Sequence, residues 1–461
     1  MNTDLLRENL LNAPKNGYFA FSEQEREKMN VYCNAYSTYM DECKTEREAA
    51  SFAVAEAEKN GFKPFAVGMA VNAGDKIYFN NRGKCVLLAV IGSEPLSEGA
   101  NICAAHTDSP RLDLKPNPLY EDSEIAYFKT HYYGGIKKYQ WPTTALALHG
   151  VVCKKDGTTV TVTVGEDDAD PILVVSDLLP HLAADQMKKT LSDGIVAEQL
   201  NVILGSEPLD GEGADLVKLH IMKILNERYG ITESDFHSAE LTLVPAGKCR
   251  DVGFDRSLLG AYGHDDRVCS FAAMDALFDI DMPKKTSVCI LADKEEIGSM
   301  GVTGMLSQAF EYFMENLCKA QNVALSQCFA NSFCLSADVC SAYDPNFSEV
   351  SDRRNTAFLN YGVAICKYTG ARGKSGASDA SAEAMCHIRR VLDNAGVRWQ
   401  LATLGKVDQG GGGTVAAYMA NRNIVTVDAG VPVLCMHAPM EIVAKFDCYQ
   451  TYLACKAIYL A

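Results

Sequence analysis

From Leu241 onward, short apolar segments alternate with segments of helical periodicity, and this alternation constrains the fold more than any other feature of the chain. Apolar runs of about four to eight residues are typical of buried strands. The runs read LTLVP, TSVCILAD, FCLSADV, WQLATL and NIVTVDAG, and an amphipathic helix that starts near Val443 closes the chain. This alternation predicts an α/β fold in which helices flank a mostly parallel or mixed sheet.

The N-terminal part predicts helices followed by strands. Residues 45–59 carry apolar side chains at helical spacing, and Asn60-Gly61 ends this pattern. Residues 76–92 predict a hairpin whose turn lies at residues 81–83. The next apolar run, ANICAAH, predicts a buried strand that ends at His106.

Residues 112–246 differ in composition and sequence pattern from the segments on either side. They contain an aromatic, glycine-containing stretch, YFKTHYYGGIKKYQW, and a hairpin pattern with Asp156-Gly157 at its turn. A chain of 461 residues is long enough for two domains. We therefore predict an inserted β-rich domain at residues 112–246, with residues 1–111 and 247–461 as the two parts of one discontinuous α/β domain.

Charge and cysteine usage exclude some classes of partner. The formal net charge is −16, and an acidic surface repels nucleic acid and anionic membranes, so we expect neither as a partner. No apolar stretch approaches the roughly 20 residues of a membrane span, and the first residues lack the pattern of a signal peptide. The 17 cysteines are scattered singly without a CxxC pair, which favours reduced thiols and a cytoplasmic protein.

Acidic and histidine residues recur where apolar strand patterns end. They are His106 and Asp108, Asp265 and Asp266, Glu295 and Glu296, Asp338, and His437. Such side chains are costly at the end of a buried strand unless they are paired or bind a cation. Imidazole and carboxylate ligands suit zinc, and a site with two metal ions needs one carboxylate that bridges them. We therefore expect these residues to converge on one metal site.

The blocks that contain these residues resemble those of a known family. AHTDSPRLD, GHDDRVCS, ADKEEIGS, LSADV, GKVDQGGGGT and GVPVLCMHAP are similar to the aspartyl aminopeptidase/aminopeptidase I family of dinuclear zinc metallopeptidases. The resemblance implies a mixed-sheet zinc-exopeptidase catalytic domain and two divalent ions per subunit, Zn²⁺ or else Co²⁺ or Mn²⁺. It implies that His106 and Asp338 bind one ion, that Glu296 and His437 bind the other, and that Asp265 bridges them.

The same resemblance implies roles around the metals. Glu295 would be the general base that takes a proton from a metal-activated water. Asp108 would hold the imidazole ring of His106 in position without binding a metal itself. Asp265 and Asp266 could exchange roles, but the helix pattern that follows them favours Asp265 as the bridge. His264 is interpreted as structural.

The inserted segment also has a counterpart in the family. The resemblance implies that residues 112–246 form a dimerisation domain and that the subunits assemble into a homo-oligomer, commonly a tetrahedral dodecamer. It further implies that His181 reaches the active site of a neighbouring subunit and stabilises the oxyanion there.

The function that these expectations imply is removal of the N-terminal residue from peptides that have a free N-terminus. Lys367 and Lys374 are candidate partners for an acidic substrate side chain, although their glycine-rich segment is equally typical of a turn. Asp344 stands where many relatives carry a histidine, so both acidic and neutral N-terminal residues remain open as substrates.

Three other interpretations compete with this function. A related co-catalytic zinc carboxypeptidase or amide deacylase would use the same ligands, and a catalytically silent scaffold would lack the base or a ligand. Residues 410–413 are all glycine but do not fit the GxxxxGK[ST] phosphate loop, so we expect them to pack close to the active site or to form a turn.

Overall fold

The structure is a computed structural model that describes residues 3–461. Its helices are α1 (Thr3–Leu10), α2 (Glu23–Glu42), α3 (Glu46–Lys59), α4 (Leu191–Gly194), α5 (Leu216–Tyr229), α6 (His264–Phe278), α7 (Ala309–Ala320), α8 (Leu325–Ala330), α9 (Ala382–Asn394), α10 (Ala416–Asn421) and α11 (Lys445–Tyr459). Its strands are β1 (Lys63–Pro64), β2 (Lys76–Asn81), β3 (Cys85–Val90), β4 (Ala100–His106), β5 (Arg111–Asp122), β6 (Ile125–Tyr133), β7 (Leu146–Cys153), β8 (Thr159–Val164), β9 (Val174–Val175), β10 (Val202–Gly205), β11 (Ala239–Pro245), β12 (Arg250–Val252), β13 (Leu258–Ala261), β14 (Thr286–Ala292), β15 (Phe333–Ser336), β16 (Cys340–Ser341), β17 (Val363–Cys366), β18 (Trp399–Leu401), β19 (Val425–Gly430), β20 (Pro432–Leu434) and β21 (Glu441–Ala444). No helix among these residues is long and apolar enough to cross a membrane.

A nine-stranded mixed sheet forms the centre of the α/β part, in the order β1-β2-β3-β14-β4-β15-β19-β17-β18. Strands β14, β4, β15 and β19 are parallel neighbours, whereas β2 and β3 form the predicted antiparallel hairpin. Along β4, Cys103 and Ala105 face a core that includes α2, α6 and α11, and Ile102 and Ala104 face a core that includes α7, α8 and α10. Both faces are therefore covered, which explains the continuous apolar runs. The predicted α/β fold with a mixed sheet is confirmed.

A seven-stranded antiparallel sheet, ordered β8-β7-β11-β5-β6-β10-β9, is built entirely from residues 111–245. The hairpin around Asp156-Gly157 is confirmed as β7 and β8. The run LTLVP was wrongly grouped with the alternating section, because as part of β11 it pairs with β7 and β5 in this sheet. An apolar run reports burial but does not identify the partner strands.

A third, five-stranded sheet, ordered β12-β13-β21-β20-β16, has no counterpart in the sequence-based prediction. Val443 lies in β21 of this sheet, so the last helix begins two residues later than predicted, at Lys445. This helix, α11, is also not amphipathic: residues 446–452 are all buried, because α2, α6 and α9 pack around it against the central sheet.

Candidate metal centre

Three parallel strands of the central sheet bring candidate ligands to one edge. His106 is the last residue of β4, and Asp338 follows β15 by two residues. Glu295 and Glu296 form a single turn of 3₁₀ helix shortly after β14. Because β14, β4 and β15 are parallel neighbours, their carboxyl ends meet at the same edge of the sheet, where binding sites form in α/β folds.

The other two candidate ligands come from the five-stranded sheet. Asp265 follows β13 at the start of α6, in an extended backbone conformation with φ −77° and ψ 108°. His437 follows β20 and has a φ of 65°, in the left-handed region that non-glycine residues rarely occupy. The fold therefore joins the ends of two different sheets at this centre.

Asp265 lies between the two histidines. Its Oδ1 is 3.2 Å from Nε2 of His106, and its Oδ2 is 3.1 Å from Nε2 of His437. On the His106 side, Asp338 Oδ1 is 3.9 Å from the same Nε2, and on the His437 side Glu296 Oε1 is 3.4 Å from Nε2. The structure thus brings together two triplets that share Asp265, and these have the same members as the two ligand sets that the resemblance to the family implies.

The chemistry of this donor set fits two divalent cations. Buried Oδ1 of Asp265 and buried Oε1 of Glu296 have no hydrogen-bond partner among the described residues. Burial, followed by the charge of Asp266, raises the pKa of Asp338 well above its ordinary value. Burial and the charge of Asp265 do the same for the pKa of Glu296. Carboxylates with unpaired oxygens and neutral imidazoles are the ligands that zinc takes in catalytic sites.

Glu295 lies in the same cleft but belongs to neither triplet. Its Oε2 is 3.9 Å from Nε2 of His106. Burial, with the charges of Asp265 and Asp108, raises the pKa of Glu295 to about 7 against the opposing effect of His106. A carboxyl group with that pKa can both accept and donate a proton near neutral pH.

Asp108 supports the cluster in two ways. Its backbone carbonyl accepts a hydrogen bond from Nδ1 of His106 at 3.0 Å, which leaves Nε2 of that ring directed at Asp265. Its carboxylate accepts hydrogen bonds from the backbone N–H groups of Glu295 at 3.0 Å and Glu296 at 3.1 Å, and from the hydroxyl of Tyr133 at 2.8 Å. Its Oδ1 also lies 3.4 Å from Nδ1 of His106, so the same carboxylate is beside the imidazole and holds the turn that carries the two glutamates.

Glu441, which sequence reasoning missed, holds the other side of the cluster. It is buried, and its Oε2 accepts a hydrogen bond from the backbone N–H of Asp265 at 2.8 Å. Its Oε1 accepts a hydrogen bond from the backbone N–H of His437 at 2.5 Å. Burial and the charge of Asp265 raise the pKa of Glu441 to about 8. The available signal was a carboxylate that begins an apolar strand four residues after His437.

Lys367 and Lys374 lie apart from this cluster, as do His181, which was predicted to act in a neighbouring subunit, and His264, which was interpreted as structural. His181 is exposed, in the short 3₁₀ segment Pro180–Leu182, and is not among the residues that line the cleft. Lys367 and Lys374 are also outside the lining and both form ion pairs with Asp379, with N–O distances of 2.6 and 2.9 Å. His264 is fully buried and its Nδ1 lies 2.6 Å from the Tyr36 hydroxyl, away from the candidate ligands.

The glycine segment borders the cleft, whose volume is about 440 Å³. Gly411, Gly412 and Gly413 are part of the lining, as the close-packing interpretation predicts. A Cβ atom on Gly410 would lie 1.8 Å from the carbonyl oxygen of Leu404, so this position tolerates no side chain.

Comparisons with known proteins identify the family of this chain. Residues 39–459 match the family described as aminopeptidase I zinc metalloprotease (M18). A probable M18 family aminopeptidase 1 of Clostridium acetobutylicum is 48% identical over 460 residues, which cover 98% of each chain. The crystal structure of the M18 family aminopeptidase of Thermotoga maritima has a TM-score of 0.93 at 43% identity, and the match covers 97% of this chain and 99% of that one.

A more distant solved structure shares the fold. The S. cerevisiae mApe1 dodecamer has a TM-score of 0.77 at 21% identity, with 94% of this chain and 97% of that chain covered. The family match over nearly the whole chain and the close relatives decide the classification. This chain belongs to the aminopeptidase I zinc metalloprotease (M18) family and is a zinc-dependent aminopeptidase.

Proposed function

We propose that this aminopeptidase holds two divalent cations in the cleft and removes the N-terminal residue of peptides by hydrolysis, with Glu295 as the general base. The observation that carries the proposal is the carboxylate of Asp265, whose two oxygens lie 3.2 and 3.1 Å from the imidazoles of His106 and His437. A carboxylate with one oxygen towards each half of a site is suited to bridging two ions.

His106 and Asp338 would hold one ion and Glu296 and His437 the other, with Asp265 shared. Zn²⁺ is the proposed occupant, with Co²⁺ or Mn²⁺ as alternatives of similar ligand preference. When bound, two such ions polarise the scissile carbonyl and lower the pKa of a water molecule.

Glu295 moves the proton. Its carboxylate lies in the cleft and belongs to neither triplet, so it is available to take a proton from the attacking water and return it to the leaving amine. Asp108 fixes the backbone of Glu295 and Glu296, so the base and the neighbouring ligand are held as one unit. The free N-terminus of the substrate would bind a metal ion or a nearby carboxylate of the cleft, which would restrict cleavage to the first residue. Peptides that start with an acidic or a neutral residue are the proposed substrates.

We further propose that residues 112–246 form a dimerisation domain of a homo-oligomer, with the tetrahedral dodecamer as the proposed assembly. The segment around His181 has an unusual density of exposed apolar side chains, which on a protein surface mark interaction sites. They are Ile172, Leu178, Leu179, Leu182, Met187, Leu191 and Val196. Burial of this surface against a second copy would carry His181 towards that copy, where an imidazole can stabilise the oxyanion. A cytoplasmic location is proposed from the 17 free thiols, a state maintained in reducing compartments.

The test is Glu295→Gln, which keeps the size of the side chain but removes its basicity. We expect the variant to retain wild-type metal content, measured by plasma mass spectrometry, and to lose at least about 100-fold in kcat, the lower end of the contribution of general-base catalysis. Glu349→Gln, an exposed substitution of the same kind, should leave both quantities unchanged. A Glu295→Gln enzyme with near wild-type kcat would contradict the assignment of the base.

A second assay separates aminopeptidase activity from the competing hydrolases. The metal-loaded protein should cleave aminoacyl substrates with a free N-terminus and leave N-acylated and C-terminal reporter peptides intact. Cleavage of the acylated substrates alone would instead identify an amide deacylase.

A further inference from the structure

A short segment of the predicted insertion lies against the metal centre of its own subunit. Strand β6 ends at Tyr133, and Gly134 and Gly135 follow it. Gly135 is part of the cleft lining. A Cβ atom on Gly134 would lie 3.3 Å from Cβ of Glu296, so the backbone passes directly beside a candidate ligand. The insertion therefore contributes to the site within one chain.

The hydroxyl of Tyr133 fixes the carboxylate of Asp108. Oδ2 of Asp108 accepts hydrogen bonds from this hydroxyl at 2.8 Å and from the backbone N–H of Glu296 at 3.1 Å. Oδ1 accepts a hydrogen bond from the backbone N–H of Glu295 at 3.0 Å. Tyr133 and Asp108 are both buried. The hydroxyl thus sets the orientation of the carboxylate that holds the turn with both glutamates.

The hydroxyl and the ring of Tyr133 have separate contacts. Burial, together with the charge of Asp108, raises the pKa of Tyr133 above its ordinary value, so the hydroxyl stays protonated and donates. The ring is held by Arg111, which pairs with Tyr133 across β5 and β6 and whose guanidinium carbon is 4.1 Å from the ring centroid. Removal of the hydroxyl alone therefore leaves the ring in place.

Gly135 orients the opposite side of the centre. Its backbone carbonyl accepts a hydrogen bond from Nδ1 of His437 at 2.8 Å, which leaves Nε2 of that ring 3.1 Å from Oδ2 of Asp265. Imidazoles that bind metals are typically oriented by such a contact at the other ring nitrogen. One segment therefore contacts both sides of the centre, the turn with the glutamates through Tyr133 and the histidine through Gly135.

We propose that Tyr133 is a positioning residue of the reaction, whose hydroxyl acts through Asp108 to hold Glu295 and Glu296 in place. The insertion then has a role in catalysis within its own subunit, separate from any role in assembly. Tyr133 does not line the cleft, so it acts through Asp108 and not on the substrate. This inference rests on the proposed reaction and adds a residue to it.

The first experiment is Tyr133→Phe, which keeps the ring and removes the hydroxyl. We expect kcat to fall by about 10- to 100-fold and KM to stay within about twofold, because a displaced base slows proton transfer without weakening substrate binding. The oligomeric state, measured by light scattering, should equal that of the wild type. A wild-type kcat would overturn the inference, and so would a loss of kcat that accompanies dissociation of the oligomer.

Two control variants separate positioning from general destabilisation. Tyr132→Phe removes an exposed hydroxyl one residue earlier in the same strand. Tyr459→Phe removes a buried hydroxyl that donates to the backbone carbonyl of Ala273 at 3.0 Å, outside the cleft. Both should keep wild-type kcat, although Tyr459→Phe and Tyr133→Phe should each lower the melting temperature by no more than about 4 °C. Equal losses of kcat in Tyr133→Phe and Tyr459→Phe would overturn the inference.

A double-mutant cycle tests the route through Asp108, with Zn²⁺ affinity as a measurement that does not depend on turnover. Titration of metal-depleted Tyr133→Phe against a competing chelator should show about tenfold weaker binding of one of the two ions, because Glu296 lies on the released turn. In an Asp108→Ala background, Tyr133→Phe should change the affinity by less than about twofold, since the shared partner is gone. The same tenfold effect in both backgrounds would show that Tyr133 acts by another route.

Comparison with Glu295→Gln separates this inference from the proposed function. If Glu295→Gln loses kcat and Tyr133→Phe does not, the inference is wrong and the assignment of the base stands. If Glu295→Gln retains kcat, the assignment of the base is wrong, and the Zn²⁺ affinity of Tyr133→Phe still tests whether the segment positions Glu296.

Discussion

Two clusters of charged side chains in this molecule differ in how their charges are balanced. The junction cluster (Glu46, Lys84, Arg111 and Glu240) joins the start of α3 and the β2–β3 turn to the seven-stranded sheet. Arg111 is 2.8 Å and Lys84 is 3.3 Å from carboxylate oxygens of Glu46. Burial alone would raise the pKa of Glu46, but these two cations lower it to about 2. The buried carboxylate of this cluster, Glu46, therefore has two basic partners within the chain.

In the metal cluster (His106, Asp265, Glu296, Asp338 and His437), imidazoles are the only basic groups of the lining among the described residues. Its members are carboxylates and imidazoles. Among the described residues, no Lys or Arg lines the cleft that contains them. Burial raises the pKa of two of its three carboxylates, Glu296 and Asp338, the opposite of the net effect at Glu46, whereas the two imidazoles lower the pKa of Asp265. The difference teaches that the junction cluster is balanced by its own counter-charges, whereas the metal cluster, in the proposed function, takes its counter-charge from cations that bind from solution.

The largest expected effect comes from removing the shared carboxylate of the metal cluster. Asp265→Ala should lose both ions and reduce kcat/KM by at least about 10⁴-fold, or about 5.5 kcal/mol, because each triplet loses the same ligand. The metal content and the steady-state kcat/KM, measured on the same preparation, test both expectations. Retention of one ion with substantial activity would show that Asp265 does not bridge.

Metal removal should destabilise the protein by a comparable amount. Each ion present at about 100-fold excess over its Kd contributes about 2.7 kcal/mol, so chelation of two should remove about 5 kcal/mol of stability. Denaturant unfolding with and without a chelator measures the change. Asp265→Ala is the control, and the chelator should not change its free energy of unfolding. If the chelator also left the free energy of unfolding of the wild type unchanged, the proposed difference between the two clusters would be wrong.

A substitution in the junction cluster should lower the free energy of unfolding without changing the metal content. Arg111→Met leaves the buried carboxylate of Glu46 with one cation instead of two and should cost about 3–5 kcal/mol of unfolding free energy. Metal content should remain that of the wild type. Arg47→Met is the matched control: its partner Glu240 is half-exposed and keeps Lys84, so the cost should stay below about 1 kcal/mol. Loss of metal in Arg111→Met would mean that the two clusters are not independent.

The smallest effect is expected at Glu441, a residue of neither cluster that positions two candidate ligands through their backbone. Glu441→Gln retains one acceptor oxygen and should lose one of the two hydrogen bonds to Asp265 and His437. Partners of this kind typically change metal affinity by about 10- to 100-fold, or about 1.4–2.7 kcal/mol. Titration of metal-depleted protein with Zn²⁺ and a competing chelator measures it, and unchanged affinity would limit Glu441 to a structural role.

The sequence predicted one half of the metal cluster more readily than the other. Strands β4, β14 and β15 have uninterrupted apolar runs because both faces are buried, so His106, Glu296 and Asp338 are visible as polar residues at strand ends. Strands β13 and β20 have four and three residues, too few for a periodic signal. The strand pattern therefore gave weaker support to Asp265 and His437, and the ligand role of every member of the cluster depended on the resemblance to a family.

Other features could not be predicted because they depend on contacts between distant segments. Glu46, Lys84 and Arg111 lie on three elements, and each taken alone is typical of an exposed charged residue. Glu441 has a function only because β21 pairs with both β13 and β20 and thereby lies beside Asp265 and His437. The same lack of pairing information misplaced LTLVP and hid the five-stranded sheet.

The most direct test of the central claim is the location of bound zinc in crystals of the zinc-loaded protein by anomalous scattering at the zinc edge. We predict two peaks per chain on either side of Asp265, one beside His106 and Asp338 and the other beside Glu296 and His437. A single peak, or peaks away from Asp265, would contradict the account of a cluster built to receive two cations.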